Sequence, residues 1–329
     1  LVGSEMCIRD RDKGKRKLAL RYEFTFQLKR ISQNKKLPYK RYQIGEVFRD
    51  EPVGGNRWRQ FTQCDADIIS SSVKDEAEVL ALISEILNKL KIKFIINVNN
   101  RKLLNEILEK EGITNKEAVI REIDKLDKLS EKSVTNNLKK YGADKIIQIF
   151  KKSRSFFKRY SAFSEIEELE KACKLYKIKI NFQPNLARGL SYYNGSIFEV
   201  KGDLKETIAA GGSYFINGIQ STGISFGLDR IELLAKIPIK DKRVVIISLN
   251  QDKKAIELAE KIRRQNIPAS VFYGKPTKAM DYANSYKVPY VIFLGKKEVK
   301  KGKVKLRDMK TGKERLGNER EIIEKLKKL

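Results

Sequence analysis

Residues Tyr42–Ile69 read YQIGEVFRDEPVGGNRWRQFTQCDADII. Both ends of this segment, Tyr42–Arg49 and Trp58–Ile69, are rich in aromatic and branched residues, which favour β-strands. Between them stands PVGGN, a proline- and glycine-containing run that is typical of loops. The pattern therefore predicts a β-hairpin with a long polar tip.

The second strand of this hairpin has two chemically different faces, because side chains alternate along a strand. One face carries Arg57, Arg59, Phe61, Gln63, Asp65 and Asp67. The other face carries Trp58, Cys64, Ala66 and Ile68, with Gln60 and Thr62 as polar exceptions. On the first strand, Arg49 and Glu51 share a face. Such a surface suits ATP beside an amino acid, but the same pattern also fits an exposed antiparallel strand with a solvated charged face.

Short motifs along the chain resemble one protein family. FRDE, a loop and then RWRQFTQCDADI resemble motif 2 of class II aminoacyl-tRNA synthetases, in the form found in histidyl-tRNA synthetases. GISFGLDRIELL (Gly223–Leu234) is similar to motif 3 of that class, a strand turning into a helix with Arg230 near its start. Between them, ARGLSYYNGSIFE (Ala187–Glu199) resembles the histidyl signature RGLDYYTGTVFE and is the strongest single indication of the amino acid handled.

Two further segments extend this resemblance. LALRYEFTFQLKRI (Leu18–Ile31) resembles the family's LxLRPEGT segment, and we predict a short strand that passes into a helix near Thr25. IAAGGSYF (Ile208–Phe215) resembles AGGRYD, and its small residues are expected to let the backbone approach the substrate closely. The departures from the family pattern are Tyr22 for proline, Ser191 for aspartate, Ser213 for arginine and Phe215 for aspartate.

The resemblance implies an α+β fold, in which helices flank the antiparallel sheet of a class II synthetase. We place the catalytic core at residues 12–236, a helical insertion in it at about 100–177, and a C-terminal α/β anticodon-binding domain at 242–329. Within the insertion, IDKLDKL (Ile123–Leu129) resembles a segment expected to close over the tRNA acceptor stem. We assign no chemistry to it, because its lysines suit a solvated helix face. In the C-terminal domain, alternating strands and helices predict a mainly parallel sheet.

The beginning of the chain does not fit this layout. LVGSEMCIRDR (Leu1–Arg11) joins poorly to the residues that follow, and we predict that it is non-native. No segment before Lys15 resembles motif 1, which builds the dimer interface in class II synthetases. We therefore expect an N-terminal truncation of a homodimeric protein, and a chain that lacks this interface would be inactive.

The composition bounds the partners and the location of the protein. Lys and Arg number 70 against 42 Asp and Glu, a net charge of +28. An excess of this size indicates a polyanionic partner such as nucleic acid, although a lysine-rich proteome would produce the same excess. With 41% hydrophobic and 34% charged residues, the chain is typical of a globular cytoplasmic protein. No apolar run approaches the ~20 residues that cross a bilayer, and no signal peptide is visible.

Cysteine and histidine usage excludes other chemistry. The three cysteines, Cys7, Cys64 and Cys173, are scattered, and the chain contains 0 histidines. We therefore expect neither a structural zinc site nor a disulfide framework. A mechanism that uses histidine as a general base or a metal ligand is excluded as well.

By resemblance, the reaction is the activation of histidine by ATP to histidyl-adenylate, followed by transfer to the 3′ end of tRNA(His). Magnesium would accompany ATP on its phosphates. Arg49 would hold the α-phosphate, and Arg188 would stabilise the pentavalent phosphorus. The ATP-binding residues implied besides Arg49 are Glu51, Arg57, Arg59, Phe61 and Arg230. The histidine-binding residues implied are Glu23, Thr25, Gln63, Asp67, Tyr192 and Tyr193.

Two alternatives remain open. A non-catalytic synthetase paralogue with a regulatory or tRNA-sensing role would share the fold, but such paralogues usually lose pocket residues or the anticodon domain. A general RNA-binding protein would explain the charge, but it gives no reason for the pocket residues to occur together.

Overall fold

The structure is a computed structural model that describes residues 9–50, 53–54, 58–188, 192–203, 207–236 and 241–328, with Arg9 and Asp10 described by backbone alone. The chain divides into two compact units, Leu1–Ile237 and Pro238–Leu329. Among the described residues, no helix is both long and apolar enough to cross a membrane.

The first unit combines nine strands with nine α-helices in its described part. The strands are β1 (Arg9–Arg11), β2 (Lys17–Ala19), β3 (Tyr39–Phe48), β4 (Gln60–Ile69), β5 (Ile95–Asn100), β6 (Asn181–Phe182), β7 (Tyr193–Lys201), β8 (Thr207–Ile216) and β9 (Ile219–Gly227). The helices are α1 (Thr25–Ile31), α2 (Val73–Lys89), α3 (Arg101–Lys110), α4 (Lys116–Ile123), α5 (Glu131–Leu138), α6 (Ile146–Phe150), α7 (Arg154–Phe157), α8 (Phe163–Leu175) and α9 (Leu228–Leu234). Three short 3-10 helices occupy Ser32–Asn34, Asp124–Asp127 and Lys139–Tyr141.

A seven-stranded sheet organises this unit, in the order β3-β4-β9-β8-β7-β5-β6. Its neighbours are antiparallel except for the parallel pair β5–β6. The predicted hairpin is confirmed, because β3 and β4 pair from Tyr39↔Ile69 to Phe48↔Gln60. The predicted strand-to-helix turns at Thr25 and at Leu228 are also present.

One face of the sheet packs on helices α2 and α8. Cys64, Ala66 and Ile68 of β4 are buried there among apolar residues of both helices. Helix α2 begins cleanly because Ser72 and Asp75 form a capping box. The predicted division of β4 into an apolar face and a polar face is therefore correct. Trp58 is the exception, because it precedes the strand, and the alternation that starts at Gln60 does not extend to it.

The helical insertion is built as predicted, from α3 to α8, but it is not a separate layer. Apolar residues of α3 to α8 share one core cluster with Leu28 of α1 and Tyr193 of β7. The C-terminal half of α8 contributes Leu169 and Cys173 to the cluster beneath the sheet. The insertion is thus anchored on the same sheet that carries the hairpin.

Arg9–Arg11, the end of the segment that we predicted to be non-native, pairs with Lys17–Ala19, while residues 1–8 lie outside the described residues. This pairing does not test whether the segment is native, which stays a prediction. One expectation about the backbone needs correction. Gly211 and Gly212 were expected to make room for substrate. A Cβ on Gly211 would lie 2.1 Å from the Gly223 carbonyl oxygen, and one on Gly212 would lie 2.3 Å from that of Ser196. These glycines therefore permit the close approach of β8 to β9 and β7.

The second unit is a five-stranded sheet with helices. Its strands are β10 (Val244–Ser248), β11 (Ala269–Tyr273), β12 (Tyr290–Leu294), β13 (Val304–Asp308) and β14 (Glu314–Gly317), and its helices are α10 (Asp252–Arg263), α11 (Pro276–Ser285), α12 (Lys296–Lys300) and α13 (Glu319–Lys328). The strand order is β11-β10-β12-β13-β14. Only the pairs of β10 with β11 and with β12 are parallel in this sheet. The expectation of a mainly parallel sheet was wrong, because the connection from β12 to β13 is too short for a crossover.

Candidate active site

A cavity of about 340 Å³ opens on the polar face of the seven-stranded sheet. The hairpin, the segment before α1, β7, β8 and the start of α9 all contribute to its wall. Of the residues singled out from the sequence, those that line it are Glu23, Arg49, Phe61, Gln63, Arg188, Tyr192, Tyr193 and Arg230. The fold therefore brings together side chains from four separate motifs.

Arg49 is fixed by contacts on both sides of its guanidinium. Its centre lies 4.6 Å from the ring centroid of Tyr22 and 5.0 Å from that of Phe61. Its Nη2 donates a hydrogen bond to Gln63 Oε1 at 3.0 Å. A planar cation held between two rings offers its remaining N–H groups to an anionic ligand in a set geometry. Tyr22, which departs from the family pattern, thus supplies one of the two rings.

Buried carboxylates lie next to this arginine. Glu23 is 8% exposed and Asp65 is 1% exposed. Burial raises the pKa of Glu23 to about 7, and the charge of Asp65 adds to the rise. Burial, followed by the charge of Asp67, raises the pKa of Asp65 to about 7. Glu23 Oε1 and Asp65 Oδ2 have no hydrogen-bond partner among the described residues, so this pocket can accept a cationic group.

Asp67 is buried behind the cavity wall and is bound by other protein side chains. Arg41 Nη2 lies 3.0 Å from Asp67 Oδ2, and the two side chains are 7% and 4% exposed. Tyr214 donates a short hydrogen bond to Asp67 Oδ1. The structure does not bring Asp67 to the cavity wall, in contrast to Gln63 on the same face of β4.

Two tyrosines close the opposite wall. The rings of Tyr192 and Tyr193 have centroids 4.7 Å apart, and Tyr192 meets Tyr214 edge-on at 5.8 Å. Burial raises the pKa of both Tyr192 and Tyr193, so both phenols remain neutral at physiological pH. Neutral phenols can donate or accept a hydrogen bond to a small planar ligand.

Arg188 lies at the end of a loop that is fixed by hydrogen bonds from Asn99, a residue distant in sequence. Asn99 Nδ2 donates hydrogen bonds to the carbonyl oxygens of Pro184 at 2.8 Å and Leu186 at 2.9 Å. Asn99 lies on β5 and is 1% exposed. Sequence inspection gave no signal for this role, since nothing in the local pattern links residue 99 to the loop.

Arg230 stands at the start of α9. Its Nη1 donates to the carbonyl oxygen of Thr207 at 2.8 Å. One residue earlier, the Asp229 carboxylate accepts a hydrogen bond from the Thr62 backbone N–H at 2.8 Å. The strand-to-helix turn is thereby joined to the hairpin.

The remaining predicted residues have different environments. Thr25 does not line the cavity, but its side chain opposes the rise in the pKa of Glu23. Arg59 is largely exposed, with its Nε 3.8 Å from Asp50 Oδ1. Glu51, Arg57 and Ser191 lie outside the described residues. Ser213 faces away from the cavity and donates a short hydrogen bond to the buried Glu76, while Phe215 is exposed.

The helical insertion contributes to the site, contrary to expectation. Asp124 and Lys128, within the segment to which we assigned no chemistry, line the cavity. Burial raises the pKa of Asp124, while the charges of Arg188 and Lys128 act against the rise. Among the described residues, no cluster of three acidic or cysteine side chains could hold a metal ion.

Comparisons with known proteins agree for both units. The histidyl-tRNA synthetase family matches residues 3–231, and the anticodon binding domain family matches residues 243–329. Histidine–tRNA ligase 2 of Shouchella clausii is 36% identical, over 92% of this chain and 82% of its own length. Histidine–tRNA ligase 1 of Bacillus cereus is 33% identical, over 92% and 81%.

Solved structures show the same fold. The histidyl-tRNA synthetase of Nostoc sp. PCC 7120 superposes with a TM-score of 0.81 at 22% identity, covering 98% of this chain and 86% of that one. An ATP phosphoribosyltransferase regulatory subunit/histidyl-tRNA synthetase from Bacillus halodurans C gives a TM-score of 0.68 at 18% identity, covering 84% and 81%.

The sheet of the first unit is thus that of class II aminoacyl-tRNA synthetases, and the second unit has the anticodon-binding fold. Within that class, the chain belongs to the histidyl-tRNA synthetase family.

Proposed function

We propose that the protein is a histidine–tRNA ligase, which activates histidine with ATP to histidyl-adenylate and transfers it to the 3′ end of tRNA(His). The observation that carries the proposal is the composition of one cavity. The cavity is lined or flanked by a stacked arginine, two neutral phenols and two buried carboxyl oxygens that have no hydrogen-bond partner among the described residues. In a histidine–ATP pair, the phosphates match the arginine, the α-amino group matches the carboxyl oxygens, and the imidazole ring matches the phenols.

At the anionic end, Arg49 holds the α-phosphate and the carboxylate of histidine. Phe61 stacks on adenine, and Glu51 helps to seat it. Arg57 and Arg230 grip the outer phosphates, and Arg59 assists. Arg188 stabilises the pentavalent phosphorus, so the chain's own cations neutralise the charge that develops in the transition state. Magnesium accompanies ATP as part of the substrate.

At the cationic end, Glu23, Thr25 and Gln63 receive the α-amino group of histidine. Tyr193 and Asp67 pair with the imidazole nitrogens, and Tyr192 lines the ring. A pocket whose polar groups match both nitrogens rejects amino acids that lack them, because the buried groups would be left unpaired. Asp67 is held by Arg41 and Tyr214, so it acts on the ring through Tyr214 or after a small rearrangement.

The test is ATP–pyrophosphate exchange, with histidine compared against the other amino acids, together with binding and charging of tRNA(His). Exchange that depends on histidine supports the proposal. Absence of exchange, both in this chain and in a chain that carries an added motif 1 segment, overturns it if tRNA binding is intact. That result would favour the alternative, a non-catalytic paralogue with a regulatory or tRNA-sensing role.

A further inference from the structure

A buried carboxylate stands behind Arg188. The Glu199 side chain on β7 is 1% exposed. Its Oε1 lies 3.4 Å from Arg188 Nη1 and accepts a hydrogen bond from Thr207 Oγ1 at 2.5 Å. Its Oε2 lies 3.3 Å from Lys201 Nζ. The negative charge of Glu199 is therefore shared between the arginine that faces the cavity and a lysine that does not.

Lys201 carries the connection onward to the helical insertion. Its Nζ lies 2.8 Å from Asp127 Oδ1, across 74 residues of sequence. Burial alone would lower the pKa of Lys201, but Asp127 and Glu199 outweigh it and raise the pKa. Asp127 ends the 3-10 helix Asp124–Asp127, and Asp124 at its start lines the cavity. The part of the insertion that reaches the cavity is thus tied to β7.

Glu199 is also linked to Arg230, the second arginine of the cavity, through Thr207. Thr207 donates its hydroxyl to Glu199 while its carbonyl oxygen accepts from Arg230. Arg188 Nε is buried and has no hydrogen-bond partner among the described residues. The orientation of the Arg188 guanidinium therefore depends strongly on the contact of its Nη1 with Glu199 Oε1.

We propose that Glu199 is a positioning residue for Arg188, and that the Lys201–Asp127 contact links the position of the insertion to it. The link has a simple electrostatic basis. In the structure the ammonium group of Lys201 contacts both Asp127 and Glu199, and Glu199 also keeps its contact with Arg188. If Asp127 loses its charge, Glu199 becomes the remaining acidic contact of Lys201 among the described residues and is drawn from Arg188. The inference rests on the proposed function, since Arg188 acts in that reaction.

The first test compares Glu199→Gln with the parent chain in histidine-dependent ATP–pyrophosphate exchange. Glutamine keeps an oxygen for the Thr207 hydroxyl but removes the charge. We expect kcat to fall about 10–100-fold with KM values within about threefold, because the arginine is misaimed while substrate contacts persist. An unchanged kcat in the variant overturns the inference. The parent is the chain that shows exchange, with or without an added motif 1 segment. No exchange in either form instead overturns the proposed function, so the two failures are distinguishable.

The second test asks whether Glu199 acts through Arg188. In an Arg188→Lys background, Glu199→Gln should cost less than about twofold, because residues acting through one group are not additive. An equal loss in both backgrounds would mean a general structural role and overturn the inference. Rates of adenylate formation in a single turnover are suited to the slow variants.

The third test addresses the insertion and does not depend on a buried substitution. Asp127→Asn should lower kcat about 3–10-fold in the parent background and much less in the Arg188→Lys background. The matched control is Glu122→Gln, which breaks a 2.6 Å ion pair with Lys125 inside the insertion and should leave exchange unchanged. Equal effects of the two variants would overturn the link. If Glu199→Gln fails to fold, the comparison of Asp127→Asn with Glu122→Gln decides whether the Lys201–Asp127 contact affects Arg188.

Discussion

Arg49 and Gln63 stand across the hairpin from each other and are joined by a 3.0 Å hydrogen bond from Nη2 to Oε1. The bond fixes the Gln63 amide, whose Nε2 then donates to Asp65 Oδ1 at 2.8 Å. A cation, an amide and a carboxyl group therefore follow one another along the cavity. In the proposed reaction Arg49 holds the α-phosphate and Gln63 receives the α-amino group of histidine, while Asp65 orients the Gln63 amide.

Arg49→Lys should nearly abolish histidine activation. Lysine keeps the charge but cannot stack between Tyr22 and Phe61 or hold Gln63 and a phosphate in one plane. We expect exchange to fall by about 10²–10³-fold, the usual cost of one oriented donor in a transition state. Arg30→Lys, at an exposed position of α1, is the control and should retain full activity. Wild-type exchange in the Arg49 variant would contradict the proposed role.

The buried Glu23 should make stability fall as pH rises. Its folded-state pKa of about 7 lies above its ordinary value of 4.5, so the folded state holds an extra proton between these limits. The free energy of unfolding therefore decreases with rising pH across that window and is lowest above pH 7.

Glu23→Gln removes the contribution of Glu23 to this pH dependence, while the contribution of Asp65 remains. We expect the variant to be more stable than the parent by about 1–3 kcal/mol at pH 8 and by less than about 1 kcal/mol at pH 5. Urea unfolding at the two pH values provides the measurement. Glu46→Gln, an exposed position on β3, is the control. A stability gain that is equal at both pH values would show that the carboxyl does not titrate in this window.

Asn99→Ala should disturb the position of Arg188 and also lower the stability of the protein. The substitution leaves two carbonyl oxygens, of Pro184 and Leu186, without their buried donor. We expect a loss of about 1–3 kcal/mol and a drop in kcat of about tenfold. Thermal unfolding and exchange kinetics measure the two effects. Asn181→Ala, which loses a bond to Asn97 at a more exposed position, should affect stability alone.

Neighbouring ion pairs on β3 offer a comparison of buried and exposed electrostatics. Arg41→Met leaves Asp67 buried without its cation and should cost about 3–5 kcal/mol. Lys40→Met breaks an exposed 2.5 Å pair with Glu78 and should cost less than about 1 kcal/mol. Denaturant midpoints of both variants would be measured at pH 7. Similar losses would mean that Arg41 contributes by packing and not by charge.

Much of the site could be read from local patterns. The hairpin, the helix start at Thr25 and the strand-to-helix turn before Arg230 depend on residues close in sequence, and all three are present. Errors arose where a local pattern was extended beyond its element, as with Trp58. They also arose where small residues serve a neighbouring strand, as with Gly211.

The contribution of the insertion to the cavity could not be predicted in this way. Asp124 and Lys128 have the spacing of a solvated helix, and their approach to Arg188 depends on how the helical insertion as a whole packs on the sheet. Asn99 meets its two carbonyl partners across 85 and 87 residues. Neither helical periodicity nor strand alternation contains information about such distances.

The amino-acid sequence by itself determined the two faces of the hairpin, the order of the motifs and the family to which they belong. These features follow from side-chain alternation and from residue identity at short range. The tertiary structure alone decided which carboxyl groups are buried together, which loop carries Arg188 and which part of the insertion reaches Glu199. Burial and long-range contacts set the pKa of Glu23 and the aim of Arg188, because desolvation and charge pairing act through space and not along the chain.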